Sequence, residues 1–209
     1  MKTGKISRPR RIISIYCIKM RIIAGAKRGM KLFSPKMQVS RPITDRVKES
    51  LFSVLYKYDL PADKNVADLF CGVGSLGLEA LSRGAVSVTF VEQDPKIIAT
   101  LKKNIEKAGY VKESKIIKAN AFNVGAPVDW RQYDLIFVDP PYARTTDVGL
   151  DSPLSGLLDL LQQGASPDAI VVVRTSERTE LLDKYSGFRV IERRKWGSMA
   201  VTILQKVSE

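Results

Sequence analysis

The chain has 209 residues and no histidine. That absence excludes Ser-His and Cys-His nucleophilic catalysis, histidine general bases and His-ligated metals together. Cysteine is scarce, with only Cys17 in the N-terminal stretch and Cys71 in a glycine-rich turn. Such a pair predicts neither a structural disulfide nor a thiol metal cluster. The expectation is a metal-free protein of a reducing, cytoplasmic compartment. Long apolar runs are missing too, since nothing approaches the ~18 residues of a membrane span. The apolar run at 12–18 ends at Lys19-Met20-Arg21 without a small-x-small cleavage site, which argues against secretion.

Acidic residues are nearly absent from the first quarter. Residues 1–57 hold 15 Lys and Arg against only Asp45 and Glu49, a local excess of +13. Residues 58–209 come to −1, so the N-terminal quarter carries the whole net charge of +12. A soluble surface mixes its signs, whereas a one-sided block beside a near-neutral body predicts an electrostatic arm for nucleic acid.

What is present is chemistry of a different kind. Asp139-Pro140-Pro141-Tyr142 follows the apolar run Leu135–Val138, which reads as a buried strand. The prolines hold the chain extended just past the strand. A carboxylate and prolyl carbonyls there can accept hydrogens from a nucleobase amine, beside a ring on which a flat base can stack. Taken alone, the run also reads as a strand with a proline-stiffened turn.

A second motif supports the first. Residues 66–77 read as a strand, a glycine turn and a helix, with Gly72, Gly74 and Gly77 spaced as G-x-G-x-x-G. Glu92 lies 20 residues after Gly72, at the end of the next strand, where an acid can accept both hydroxyls of a ribose. This is an adenosine-binding half-fold, and the pattern does not distinguish a nicotinamide dinucleotide from another adenosine cofactor.

The remaining chain alternates strand and helix. Strands are expected at 66–70, 87–92, 115–119, 134–138, 170–174, 188–194 and 200–205, and helices at 75–83, 95–108, 151–163 and 177–184. That pattern predicts an α/β fold with a mostly parallel sheet covered on both faces. Only Lys195 to Met199 join the last two strands, so these should pair antiparallel. Upstream, two short apolar runs flank a basic loop and predict a β-hairpin with Lys27 and Arg28 at its tip. Thr44 then caps a helix that Pro61 ends. Ala143 to Leu150 is expected to be a lid.

Asp68-Leu69-Phe70-Cys71-Gly72-Val73-Gly74, Glu92 and Asp139-Pro140-Pro141-Tyr142 resemble the motifs of S-adenosylmethionine-dependent methyltransferases acting on nucleobase amines. The stretches at 20–25, 41–49 and 76–85 narrow the likeness to the RsmD family, 16S ribosomal RNA guanine-N2 methyltransferases. The resemblance runs from Met20 to about Leu204.

It implies a Rossmann-like, class I, seven-stranded doubly wound sheet with a terminal antiparallel hairpin and a small N-terminal hairpin and helix. Residues 1–19 are then a basic, disordered tail, 20–60 an RNA-binding extension and 61–209 the methyltransferase domain. The implied cofactor is S-adenosylmethionine. It lies on Asp68, Phe70, Gly72 and Gly74 at its methionine and sulfonium, on Glu92 at its ribose, and on Gln93, Asn120 and Ala121 near its adenine. Asn120-Ala121 stands where the family commonly has Asp-Ala. Asp139, Pro140 and Tyr142 are the expected catalytic residues, and Lys27, Arg28, Arg41 and Arg46 the expected RNA contacts. The implied partner is 16S RNA in the assembled small subunit, met by a monomer without metal or membrane. The alternatives are an adenine-N6 nucleic-acid methyltransferase, disfavoured because only 67 residues follow Tyr142, and a nicotinamide-dependent oxidoreductase.

Overall fold

A computed structural model describes residues 20–34, 43–127 and 132–207. The expected tail, 1–19, and Arg41 lie outside the described residues.

Eight strands form one sheet in the order β3-β2-β1-β4-β5-β8-β7-β6. The first five are β1 Asn65–Leu69, β2 Ser87–Glu92, β3 Ser114–Lys118, β4 Tyr133–Val138 and β5 Ala165–Ser176. These pair parallel, while β6 Lys184–Tyr185, β7 Phe188–Trp196 and β8 Met199–Lys206 are antiparallel. From β1 the chain builds outward through β2 and β3, then returns to lay β4 on the other side of β1. A crevice at that reversal, past the carboxyl ends of β1 and β4, is where such sheets take ligands.

Period-two alternation divides the strand side chains between two cores. Val66, Phe90, Phe137 and Val172 face helices α1 (Asp45–Leu55), α2 (Ser75–Ser82) and α3 (Pro95–Ala108). Leu69, Val91, Ile136 and Val171 face α4 (Ala121–Val124) and α5 (Pro153–Gly164). Local chemistry sets the helix starts. Thr44, Asp94 and Ser152 each accept a backbone N–H as N-cap, and Pro95 and Pro153 fill first-turn positions that need no donor.

Three expectations are corrected. Residues 177–184 form no helix. Arg193 donates to the Thr179 carbonyl, the Thr179 hydroxyl bonds Thr145 O at 3.2 Å, and Val190 N bonds Asp183 O at 2.8 Å. Eight residues repay helix nucleation poorly, and these long-range bonds claim the backbone instead. The segment ends as β6, which makes the sheet eight-stranded and not seven-stranded. Strand β5 starts five residues earlier than expected, through an irregular register opposite β4 with Asp168 at φ 60°. The N-terminal hairpin has one ladder pair, Arg21 with Lys31.

That N-terminal segment shares its core with the sheet. Ile22, Leu32, Ile43, Val47 and Phe52 belong to the same buried cluster as Val66 and Phe137. Buried polar bonds fasten it as well. Glu79 of α2 accepts Ile23 N at 2.8 Å, Ala24 N at 3.0 Å and Arg83 Nε at 2.8 Å, and lies 3.5 Å from Lys48 Nζ. Asn104 of α3 accepts Phe33 N at 2.7 Å and donates to Phe33 O and Val73 O.

Candidate functional site

Strand β1 delivers the chain to a tight turn, with Phe70 at φ 57°, Gly72 at φ 55° and Gly74 at φ 85°. A Cβ on Gly72 would meet nothing within 4 Å, so the turn presents bare backbone to open space. Gly77 serves packing instead, because a Cβ there would stand 2.4 Å from the Phe90 ring and push α2 off β2. Asp68 is buried beneath the turn, where its Oδ2 accepts Gly77 N at 2.8 Å. Burial pushes its carboxyl up to about 7, with the Gly77 bond opposing and Asp139 and Glu92 adding to the rise.

At the end of β2, Glu92 accepts Gly72 N at 3.1 Å, Gln93 N at 2.8 Å and Asp94 N at 2.9 Å. A carboxylate offers roughly four lone-pair positions, so three bonds fix the side chain and leave one for a ligand. The acid locks the glycine turn to the next strand as well as facing the cleft.

The carboxyl end of β4 supplies Asp139, whose N–H reaches back to Leu69 O at 3.4 Å. After the two prolines, Tyr142 opens a 3-10 turn, Tyr142–Arg144. The expected lid is strapped down, with Thr179 Oγ1 on Thr145 O and Tyr185 Oη on Val148 O at 2.7 Å.

These parts meet in one cleft of about 550 Å³ at the β1/β4 reversal. Of the expected residues, Asp68, Phe70, Gly72, Glu92, Gln93, Ala121, Asp139, Pro140 and Tyr142 line it. Gly74 stands behind the wall, where a Cβ would meet Leu101 Cδ1 at 2.5 Å. Asn120 is turned to local use, its Oδ1 capping α4 through Phe122 N at 3.1 Å, while Ala119 and Ala121 form the adjacent surface. Met20, Ser34 and Ile43 of the N-terminal segment also line the cleft.

The expected RNA contacts are dispersed. Lys27 lies over the Tyr110 ring at 5.6 Å, and its N–H bonds Ser82 at the far end of α2 from the cleft. Arg28 is exposed at the same tip. Arg46 is exposed on α1 three residues beyond Ile43, in an open groove with Lys57 and Arg194.

One cleft residue was not foreseen. Arg174 on β5 is 7% exposed and places Nε 2.5 Å from Asp139 Oδ1. Burial pushes the Asp139 carboxyl up, and the Arg174 guanidinium opposes that rise. The sequence held only half of the signal. An arginine closes the apolar run Ile170–Val173 at its carboxyl end, and its acid partner follows only from the pairing of Val173 with Val138, next to Asp139.

Among the described residues no group of three or more His, Cys, Asp or Glu could hold a metal ion, and no helix is long and apolar enough to cross a membrane. The family model described as "Conserved hypothetical protein 95" matches residues 20–205. The chain is 31% identical over 191 residues to "Putative rRNA methyltransferase YlbH" of Bacillus subtilis, covering 90% of this chain and 99% of that one. It is 39% identical over 132 residues to "Ribosomal RNA small subunit methyltransferase D" of Escherichia coli, where the match spans 60% of this chain and 62% of the relative. Among solved structures, "Putative methyltransferase yhhF from Escherichia coli" superposes with a TM-score of 0.76 at 28% identity, over 91% of this chain and 99% of that one.

Proposed function

The chain belongs to the RsmD family, and from that premise we propose that it methylates the exocyclic N2 amine of a guanine in 16S ribosomal RNA, with S-adenosylmethionine as donor. One observation carries the reading. The glycine turn, Glu92 and Asp139-Pro140-Pro141-Tyr142 open into the same cleft.

The cleft suits that cofactor. Its volume is ordinary for a small-molecule site, the Gly72 backbone is open to close approach, and the carboxylates that line the cleft favour a cationic ligand. Asp68, Phe70 and Gly72 hold the methionine and sulfonium end, with Gly74 shaping the turn behind them. The remaining acceptor position of Glu92 takes the ribose, and Gln93 and Ala121 border the adenine. Asn120 contributes by capping α4 beside them. When bound, S-adenosylmethionine supplies an electrophilic methyl group on a sulfonium.

The protein's own part is to orient the acceptor nitrogen. Guanine N2 is a weak nucleophile because its lone pair is delocalised into the ring. Asp139 and the Pro140 carbonyl each accept an N2 hydrogen, drawing the nitrogen toward tetrahedral geometry. The ionised carboxylate favours the positive charge that develops there and takes the released proton on oxygen. Tyr142 stacks on the base, which must leave its helix or loop to reach the cleft. Lys27, Arg28 and Arg46 contact phosphates, Arg46 from the open groove on α1 and the other two from the hairpin tip. The enzyme works as a cytoplasmic, metal-free monomer on the assembled small subunit.

The test uses small subunits from a strain lacking the gene, purified protein and methyl-labelled S-adenosylmethionine. Label should appear in 16S RNA as N2-methylguanosine. N6-methyladenosine in its place would move the chain to the adenine-N6 class, and absence of any label would overturn the reading. Calorimetry should register S-adenosylmethionine binding and none for NAD.

A further inference from the structure

Asp139 carries the acceptor chemistry in the reading above, and the following inference rests on that reading. Its Oδ1 is held by Arg174 Nε at 2.5 Å, while Oδ2 has no hydrogen-bond partner among the described residues and the side chain is 19% exposed. The carboxylate is therefore bonded on one edge and open on the other, inside the cleft. Arg174 is itself 7% exposed, and its Nη1 rests on Met199 Sδ at 3.9 Å. Strand β5 and its antiparallel partner β8 thus fix the guanidinium before any ligand arrives.

We propose that Arg174 is the positioning residue of the site: it pins Oδ1 of Asp139, directs Oδ2 at the acceptor amine, and keeps the carboxylate ionised in a buried place. The charges around Asp139 make such a partner necessary. Asp68 acts on it from β1, and Glu92 and Asp94 line the same cleft from the end of β2, all acidic. The Cys71 thiol, pushed up by burial, stays neutral. From β8 the contact is Met199, which has no charge. Tyr142, also in the cleft, brings a phenol and not a cation. Arg174 is the cation lining this cleft among the described residues, and without it Asp139 and the buried Asp68 are left together without a counter-charge, where carboxylates hold their protons.

An ionised Asp139 accepts an amine hydrogen, whereas a protonated one presents a donor to a donor. The sign of the effect follows. Loss of Arg174 raises the Asp139 carboxyl further, so the acid limb of the pH–rate profile moves to higher pH. An arginine beside an aspartate typically lowers it by ~1–3 in pH, and that is the displacement expected.

The experiment reads Asp139 directly. Full-length protein labelled with 13C at aspartate side-chain carboxyls is titrated by NMR as wild type, Arg174→Met, Arg174→Gln and Arg174→Lys, with Asp139→Asn for assignment. The Asp139 midpoint should rise by ~1–3 in both neutral variants and return most of the way in Arg174→Lys. An unchanged midpoint in whichever neutral variant folds overturns the proposal. Methyl transfer to small subunits across pH 5–9 supplies the second readout. The variants should recover part of their rate at high pH, whereas an equal loss at every pH would make Arg174 structural only and also overturn it. If wild type transfers no methyl at all, the functional reading fails, and the titration still decides whether Arg174 governs Asp139.

Discussion

Two acids in this molecule, one buried and one half-buried, each pair with arginine, and they differ in what is left over. Glu79 is completely buried, and its two oxygens meet two backbone N–H groups, Arg83 and Lys48. Four partners match the roughly four acceptor positions of a carboxylate. Asp139 has Arg174 on one oxygen and the cleft on the other. Saturation marks a group that joins segments, and an unfilled position marks a group kept for something that comes and goes. The same reading separates Asn104, whose bonds run to Phe33 and Val73, from Glu92, with three bonds made and one position open.

Breaking the saturated acid should produce the largest effect. Glu79→Ala strands Lys48, Arg83 and two amides in the interior, and removing one partner of a buried ionic cluster costs ~3–5 kcal/mol. Against a total stability of about 5–15 kcal/mol, this variant should unfold at much lower urea concentration. Per folded molecule its methyl transfer should stay near wild type. A wild-type denaturation midpoint would contradict the saturation argument.

Breaking the open acid should do the reverse. Asp139→Ala is expected to lose at least ~100-fold in methyl transfer, as when an acceptor or donor at a developing charge is removed. Its S-adenosylmethionine affinity by calorimetry should change little, and its melting temperature should fall less than that of Glu79→Ala, because one enclosed cation loses its partner and not two. Turnover within tenfold of wild type would remove Asp139 from the chemistry.

Asp68 sharpens the contrast through pH. Its carboxyl rises from 3.8 to about 7 on folding, so between those values the folded state binds the proton that the unfolded state has released. Stability from this group is therefore full below about pH 4 and falls as pH climbs toward 7. Asp68→Asn keeps an oxygen for Gly77 N and removes the titration. Thermal unfolding at pH 4.5 and 7.5 should differ less in the variant than in wild type, and an equal difference would contradict the assignment.

The smallest effect belongs to exposed charge. Reversing Arg46, in the open groove on α1, should flatten the salt dependence of small-subunit binding by roughly one counterion, and reversing Lys27 and Arg28 together by roughly two. Filter binding at several salt concentrations measures both slopes. Slopes equal to wild type would move the RNA path away from these residues.

What was legible beforehand follows the same division between local and distant. The glycine turn, Glu92 and the Asp-Pro-Pro-Tyr run were readable because each is a contiguous segment whose chemistry follows from spacing. The helix start at Thr44 was readable through capping. Arg174 was not, since its meaning depends on β5 lying beside β4 with Val173 opposite Val138. The segment 177–184 misled because Leu181 and Leu182 suit a helix, while the bonds that decide its shape come from Thr145, Arg193 and Val190. Nor could sequence reveal that Asn120 spends its oxygen on its own helix.

The bonds of Asn104 and Glu79 also set a timetable for synthesis. Phe33 is joined to a side chain 71 residues later in the chain, and Ile23 to one 56 residues later. At ~5–20 residues per second, residues 20–34 leave the ribosome roughly 4–14 s before their anchor on α3 has been made. During that interval Ile22 and Leu32, buried in the finished molecule, have no core to enter. The part of the chain made early is thus among the last to be seated. Protease should cut arrested nascent chains near Lys27 until α3 is clear of the exit tunnel, and spare them afterwards.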